Sequence, residues 1–194
     1  MADVLKAGGL VALPTETVYG LAGHAFDEKA VRQIFSVKGR PLIDPLIVHV
    51  LNINMAHAVA ILNDRATRLA EVFWPGPLTM ILPKQKEVPD LVTAGLDTVA
   101  IRIPAHPVFR DILETSGLPL AAPSANPFGY ISPSCAEHVK NMLGDRLEHV
   151  LDGGPCDHGV ESTIVDLSSE VVRVLRPGPI LASQLELVLG EPVE

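Results

Sequence analysis

The sequence predicts a mixed α/β fold in a single domain, residues 1–194, and three observations carry that prediction. Hydrophobic residues make up 47% of the chain and its mean hydropathy is +0.30, enough to bury a sizeable core and too apolar for a disordered chain. Short apolar runs alternate with segments of helical periodicity along the chain. Two β-branched runs, 161–167 and 171–175, are separated only around Ser168-Ser169, too close for a crossover. They must pair as a hairpin, so the pattern is not a strict βαβαβ series.

Taken in order, residues 1–9 read as the last turns of a helix, with Val4 and Leu5 apolar and Gly8-Gly9 as its stop. The run Leu10-Val11-Ala12-Leu13 ends at Pro14 in the polar turn Thr15-Glu16-Thr17. Asp27 is a good N-cap for a helix over 28–37, whose Val31, Ile34 and Phe35 share one buried face. The apolar run 45–50 follows the basic turn Lys38-Gly39-Arg40-Pro41, so residues 10–50 read as a βαβ unit. Asp64 caps a second helix through Leu69, Val72 and Phe73, ended by Trp74-Pro75-Gly76-Pro77. Residues 78–82 form a strand and 84–89 a loop.

The run 98–104 is the most informative strand. Alternation puts Val99, Ile101 and Ile103 on a core face and Thr98, Ala100 and Arg102 on the other. The second face suits either the wall of a ligand cleft or a solvated outer face with a surface arginine. A helix over 107–116 stops at Gly117, and a strand over 118–123 ends in the turn Ser124-Ala125-Asn126-Pro127-Phe128-Gly129-Tyr130. Pro133 or Ser134 starts a helix through Val139 and Leu143, closed by Gly144, and residues 150–154 are a short strand and turn. The second hairpin strand ends in Arg176-Pro177-Gly178-Pro179, and residues 182–189 form a closing helix.

Net charge is -8, which argues against non-specific nucleic-acid binding through phosphate neutralisation, and 4% aromatics argue against a base-stacking platform. Cys135 and Cys156 fit neither a disulfide framework nor a CxxC metal site. The N-terminus MADVLKAGG has no apolar signal core, and no apolar run approaches the ~20 residues of a membrane helix. A cytoplasmic protein with no membrane association is expected.

No Walker A, GxGxxG, HExxH or GxSxG motif occurs. His24, His57, His106, His138, His149 and His158 have no metal-like spacing, and His49, alone on an apolar strand, reads as structural. What stands out is a set of cations at element ends, Lys38, Arg40, Arg102 and Arg176, joined by hydroxyls at Thr15, Thr17, Thr98, Ser124, Ser132, Ser162 and Thr163. Guanidinium groups bind phosphate or carboxylate through paired donors, and lysine serves phosphate as a point charge. The set fits a polyanion such as a nucleotide triphosphate; each member taken alone fits a surface charge or a turn hydroxyl equally well.

Eight blocks in order, PTETVYGL (14–21), KGRP (38–41), PLIVHV (45–50), WPGPLT (74–79), AGLDTVAIRIPAHP (94–107), PLAAPSAN (119–126), GVESTIVDL (159–167) and LRPGP (175–179), resemble the YrdC/Sua5 family, the L-threonylcarbamoyladenylate synthases. The chain looks like a short form holding only the YrdC-like domain. The resemblance implies a twisted, open mixed sheet with flanking helices around a concave, positively charged cleft, the YrdC/RibB-like fold. It implies that L-threonine, bicarbonate and ATP give threonylcarbamoyl-AMP and pyrophosphate for t6A modification of tRNA, with Mg2+ accompanying ATP. A downstream threonylcarbamoyl-transferase complex would take the product to tRNA, with weak or no direct tRNA binding by this chain.

By motif, the resemblance puts Lys38 and Arg40 at the phosphates as the catalytic pair. It adds Asp44, Thr98, Ser124, Asn126, Ser132 and Arg176 to the ATP side, and Thr17, His49, Arg102, the backbone at Ala122 and Ser162 to threonine, overturning the structural reading of His49. Arg102 would hold the threonine carboxylate, in line with the cleft-wall reading of its strand. Asp44 stands where many relatives have Asn, and a carboxylate there repels phosphates unless magnesium or an arginine offsets it. The alternatives are a YrdC-like paralogue or an RNA-binding protein without efficient synthase activity.

Overall fold

The computed structural model describes residues 1–194. It contains one eight-stranded mixed sheet in the order β1-β2-β6-β3-β5-β4-β7-β8, formed by β1 (Val11–Pro14), β2 (Tyr19–His24), β3 (Ile47–His49), β4 (Leu78–Pro83), β5 (Thr98–Arg102), β6 (Leu120–Ala121), β7 (Thr163–Asp166) and β8 (Arg173–Arg176). The pairs β3–β5 and β4–β7 are parallel and the others antiparallel, including the expected β7–β8 hairpin.

The first βαβ unit does not exist as read. Strand β1 turns straight back into β2, pairing Val11 with Ala22 and Pro14 with Tyr19, and β3 lies two strands further on. Sequence reading misses β2 because two of its six residues are glycines, which weaken strands. Here glycine is a packing device: a Cβ on Gly23 would sit 2.7 Å from Leu10 Cδ2 and 3.2 Å from Ile34 Cδ1, so its absence lets the helix α2 (Glu28–Lys38) lie on the strand. The hairpin turn is closed by Thr15, whose Oγ1 accepts the N–H groups of Thr17 and Val18 at 3.1 Å and donates to the Val18 carbonyl at 2.7 Å.

Helix α2 follows the expected periodicity, with Asp27 accepting from the Lys29 N–H at 2.9 Å and Ala30, Val31, Ile34 and Phe35 buried. Helix α4 (Asp64–Phe73) is capped by Asn63 rather than Asp64, and buries Ala66, Leu69 and Ala70 while Val72 is exposed. Helices α6 (Pro107–Ser116) and α8 (Ala182–Leu189) match their expected ranges, and α7 (Ala136–Leu143) starts after the expected Pro133 or Ser134, with Cys135 as its N-cap. Three short helices, α1 (Ala2–Lys6), α3 (Ile53–His57) and α5 (Asp90–Thr93), complete the set; α3 and α5 span about one turn each, too short for a periodic signal.

The run 118–123 gives only a two-residue ladder, because Pro119 and Pro123 have no N–H to donate. It stays extended all the same: Leu21 N–H donates to the Pro123 carbonyl at 2.7 Å and Ala122 N–H to the Ile47 carbonyl at 3.0 Å. The expected strand near residue 150 is reduced to one parallel bridge between Ala12 and Val150. A large core lies under α2, α4, α7 and α8. A smaller one, with Leu5, Val11, Leu13, Phe109 and Leu113, joins α1 and α6 to the other face of the β1–β2 end. No helix is long and apolar enough to cross a membrane.

Gly178 shows why the chain turns as it does after β8. A Cβ there would stand 2.4 Å from the Thr163 nitrogen and 2.6 Å from the Glu161 carbonyl oxygen, so only glycine lets this turn press against the start of β7. That contact carries Arg176 up to Glu161 and Ser162.

Candidate active site

The ends of these strands surround a cavity of about 240 Å³. The β1–β2 turn contributes Thr15 and Thr17, the α2–β3 loop Arg40 and Asp44, and β3 and β5 contribute His49, Ala100 and Arg102. The segment after β6 contributes Ala122 and Ser124, and the β7–β8 hairpin Glu161, Ser162 and Arg176. Val99, Ile101 and Ile103 are buried in the core on the opposite side of their strand, so alternation along β5 separates core from cleft wall and the surface-arginine reading of Arg102 is ruled out.

Arg102 is buried and fixed by three acceptors. Its Nη2 donates to Glu16 Oε1 at 2.5 Å, Nη1 to Thr17 Oγ1 at 2.9 Å, and Nε to the Gly76 carbonyl at 3.1 Å. The other Glu16 oxygen accepts the Ala105 N–H at 3.1 Å. Burial lowers the Arg102 guanidinium and Glu16 opposes that shift; a guanidinium stays charged regardless. The turn between β1 and β2 is thereby tied to the end of β5, and a cation is held still at the cavity wall.

His49 lies next to Arg102 on the neighbouring strand, with His49 paired to Arg102 in register. Its ring packs on Phe109 at 5.0 Å between centroids, and its Nδ1 is buried without a hydrogen-bond partner. Burial, reinforced by the Arg102 charge, pushes the imidazole down to about 3, so it is neutral at physiological pH. It is both core and cavity wall, which reconciles the structural reading of a lone histidine with its place in the site.

Ser162, Arg176, Glu161 and Ser132 form a second network. Arg176 Nε donates to the Ser162 carbonyl and Nη2 to Ser162 Oγ, each at 3.0 Å, while Ser162 Oγ also meets Thr79 Oγ1 at 2.8 Å. Arg176 pairs with Glu161, whose other oxygen accepts from Ser132 Oγ at 2.7 Å. Burial pushes the Glu161 carboxyl up, but Arg176 and Ser132 outweigh it and leave it below the usual carboxylate range. Arg40 binds Asp44 at 3.0 Å and the Pro45 carbonyl at 2.8 Å, so the carboxylate at position 44 is offset by an arginine in the resting cleft.

Four of the expected residues do not line the cavity: Lys38, Thr98, Asn126 and Ser132. The Lys38 ammonium is buried and donates to the carbonyls of Ser124, at 2.5 Å, and Asn126, at 2.6 Å; burial, then the Arg40 charge, pushes it down to about 8. It latches the turn after β6 to the end of α2. Asn126 Nδ2 donates to the Pro127 and Tyr130 carbonyls, each at 2.8 Å, and its Oδ1 is buried without a partner. Thr98 sits at the far end of β5, four residues from Arg102. Ser132 reaches the site only through Glu161.

Sequence reasoning missed Glu16 and Glu161. Both sit inside quoted motifs, PTET and GVEST, and the available signal was charge balance: arginines in apolar strands need counter-charges when buried.

The sequence matches the profile of the Sua5/YciO/YrdC family, described as telomere recombination, over residues 3–178. Threonylcarbamoyl-AMP synthase of Pyrococcus abyssi is 47% identical over 98% of this chain and 56% of its own length. The Bacillus subtilis enzyme of the same name is 46% identical over 97% of this chain and 55% of its own. The chain thus spans about half the length of these curated relatives. The crystal structure of P. abyssi Sua5 complexed with L-threonine superposes with a TM-score of 0.96 at 46% identity, over 100% of this chain and 57% of that one. Escherichia coli YciO, 23% identical, shares the fold with a TM-score of 0.85 over 95% of this chain and 90% of its own.

Proposed function

This chain belongs to the Sua5/YciO/YrdC family, and we propose that it is an L-threonylcarbamoyladenylate synthase, forming threonylcarbamoyl-AMP and pyrophosphate from L-threonine, bicarbonate and ATP. The observation that carries the reading is Arg102: a buried guanidinium on the wall of a cavity that also holds Arg40 and Arg176. Such an arrangement suits one carboxylate substrate and one polyphosphate in the same cleft. The relatives named above carry the same activity in their names, and one was crystallised with L-threonine.

In this reading Arg102 takes the threonine carboxylate while Thr17, His49, Ser162 and the backbone at Ala122 surround the rest of the amino acid. A neutral His49 adds a polar contact without a second charge beside Arg102. The threonine amine, unprotonated, adds to the carbon of bicarbonate, whose hydroxyl leaves as water with one amine proton. An oxygen of the resulting carbamate then attacks the α-phosphorus, and the bond to the bridging oxygen breaks as pyrophosphate leaves. Arg40, Arg176, Ser124 and Ser132 favour the polyphosphate and the charge that develops as it departs. Lys38 and Asn126 act by shaping the turn that presents Ser124. No protein group serves as a dedicated base.

Magnesium delivered with ATP fits the donors present, because the ion uses one or two carboxylates beside phosphate oxygens and the cleft offers Asp44 and Glu161. Bound there, it would neutralise polyphosphate charge. The product would pass in the cytoplasm to a transferase complex that completes t6A on tRNA, with little direct tRNA affinity from a chain of net charge -8.

Steady-state kinetics of two variants test the assignment. Arg102→Ala is expected to raise KM for threonine about 10- to 100-fold, the equivalent of a hydrogen-bonded charge contact of roughly 1.5–3 kcal/mol. Arg40→Ala is expected to lower kcat and leave the threonine KM near the wild-type value. Unchanged kinetics in both variants would overturn the reading.

A further inference from the structure

Two carboxylates line a cleft read here as the site of a polyphosphate, and they are held differently. Asp44 faces solvent more; it pairs with Arg40, and Lys38 also feels its charge. Glu161 pairs with Arg176 and accepts from Ser132, while Lys38, Arg40 and Arg102 all feel its charge. Of the cations assigned to the substrates, Arg176 alone contacts Glu161; Arg40 pairs with Asp44 and Arg102 with Glu16. The charge of Glu161 is not needed to close the hairpin, which backbone pairing from Ile164 to Asp166 already does, nor to hold Arg176 Nε and Nη2, which bond Ser162.

We propose that Glu161 is the internal counter-anion of the cleft, occupying Arg176 and Ser132 until a polyphosphate displaces it from both. The idea rests on the polyphosphate reading of the site. In the resting state Glu161 satisfies donors that would otherwise stand unpaired in a partly buried pocket. On binding, the ligand must supply more negative charge to the arginines than one carboxylate does. A triphosphate does so; a small monovalent anion does not. Glu161 is therefore a specificity-determining residue, making the cleft selective for polyphosphate over lesser anions, bicarbonate at the wrong position among them.

The test is calorimetric titration of the full chain with inorganic tripolyphosphate and, separately, adenosine, in EDTA to remove metal. Glu161→Gln keeps the side-chain shape and an acceptor for Ser132 but removes the charge. It is expected to bind tripolyphosphate about tenfold more tightly than wild type, with adenosine affinity unchanged. Glu161→Asp, which keeps the charge but withdraws it from Arg176, is expected to show a smaller gain and serves if the glutamine variant does not fold. Equal or weaker tripolyphosphate binding in these variants overturns the counter-anion role and leaves the polyphosphate reading standing. An equal gain for adenosine also overturns it, since a merely structural contact would act on both ligands. Failure of wild type and variants alike to bind tripolyphosphate overturns both.

Discussion

Glu16→Ala is expected to cost about 3–5 kcal/mol of folding stability, because it strands a buried charge. Glu16 is 5% exposed and Arg102 3% exposed, so neither can turn to water when its partner is lost. The remaining Arg102 acceptors, Thr17 Oγ1 and the Gly76 carbonyl, are neutral and cannot offset the cost of burying a guanidinium. The Ala105 N–H also loses its acceptor. In a chain of 194 residues, that loss corresponds to a fall in Tm of roughly 6–20 °C. The double variant Glu16→Ala/Arg102→Met is expected to recover much of it, because the two residues act as a pair and their effects are not additive. Thermal unfolding of the three proteins checks this; a single-variant loss below about 1 kcal/mol would show that water reaches the pair.

Acid is expected to weaken the fold through His49. Its imidazole is held near 3 in the folded protein, against 6.5 in its ordinary state. Between those values the unfolded chain carries a proton at this histidine and the folded chain does not. Stability from this group is thus complete above about pH 6.5 and is lost as pH falls toward 3, by about 3 kcal/mol at pH 4 and on the order of 5 kcal/mol in full. His49→Gln removes the titration. The drop in Tm from pH 7 to pH 4 is expected to be roughly 6–12 °C smaller in this variant than in wild type. Parallel curves would contradict a sealed, neutral imidazole.

What the sequence discloses about the fold depends on whether local physics decides the matter. Helices α6 and α8 match residue for residue, since an apolar stripe begins and ends each inside clear punctuation, Pro107 and Gly117 for the first and Gly190 for the second. Strand β2 escapes because its glycines were chosen by helix α2 above it, a constraint that lies outside the strand itself. The same failure joined β1 and β3 into a unit that two intervening strands separate.

The site divides in the same way. Cations in apolar strands are conspicuous, and alternation along β5 puts Arg102 on the face opposite the core, but only the packed structure makes that face a cleft wall. The carboxylates that hold them are not conspicuous, because Glu16 meets Arg102 across 86 residues and Glu161 meets Arg176 across 15. Lys38 shows the limit of motif matching. The motif locates the residue at the end of α2, but only the packed turn reveals that its ammonium is taken up by two carbonyls.

The central claim is that this cleft joins threonine, bicarbonate and ATP, and pyrophosphate release from ATP and magnesium tests it most directly, with L-threonine and bicarbonate added singly and together. Release that requires both co-substrates is the predicted result. Release with neither, or none with both present in a folded protein that binds ATP, would contradict it.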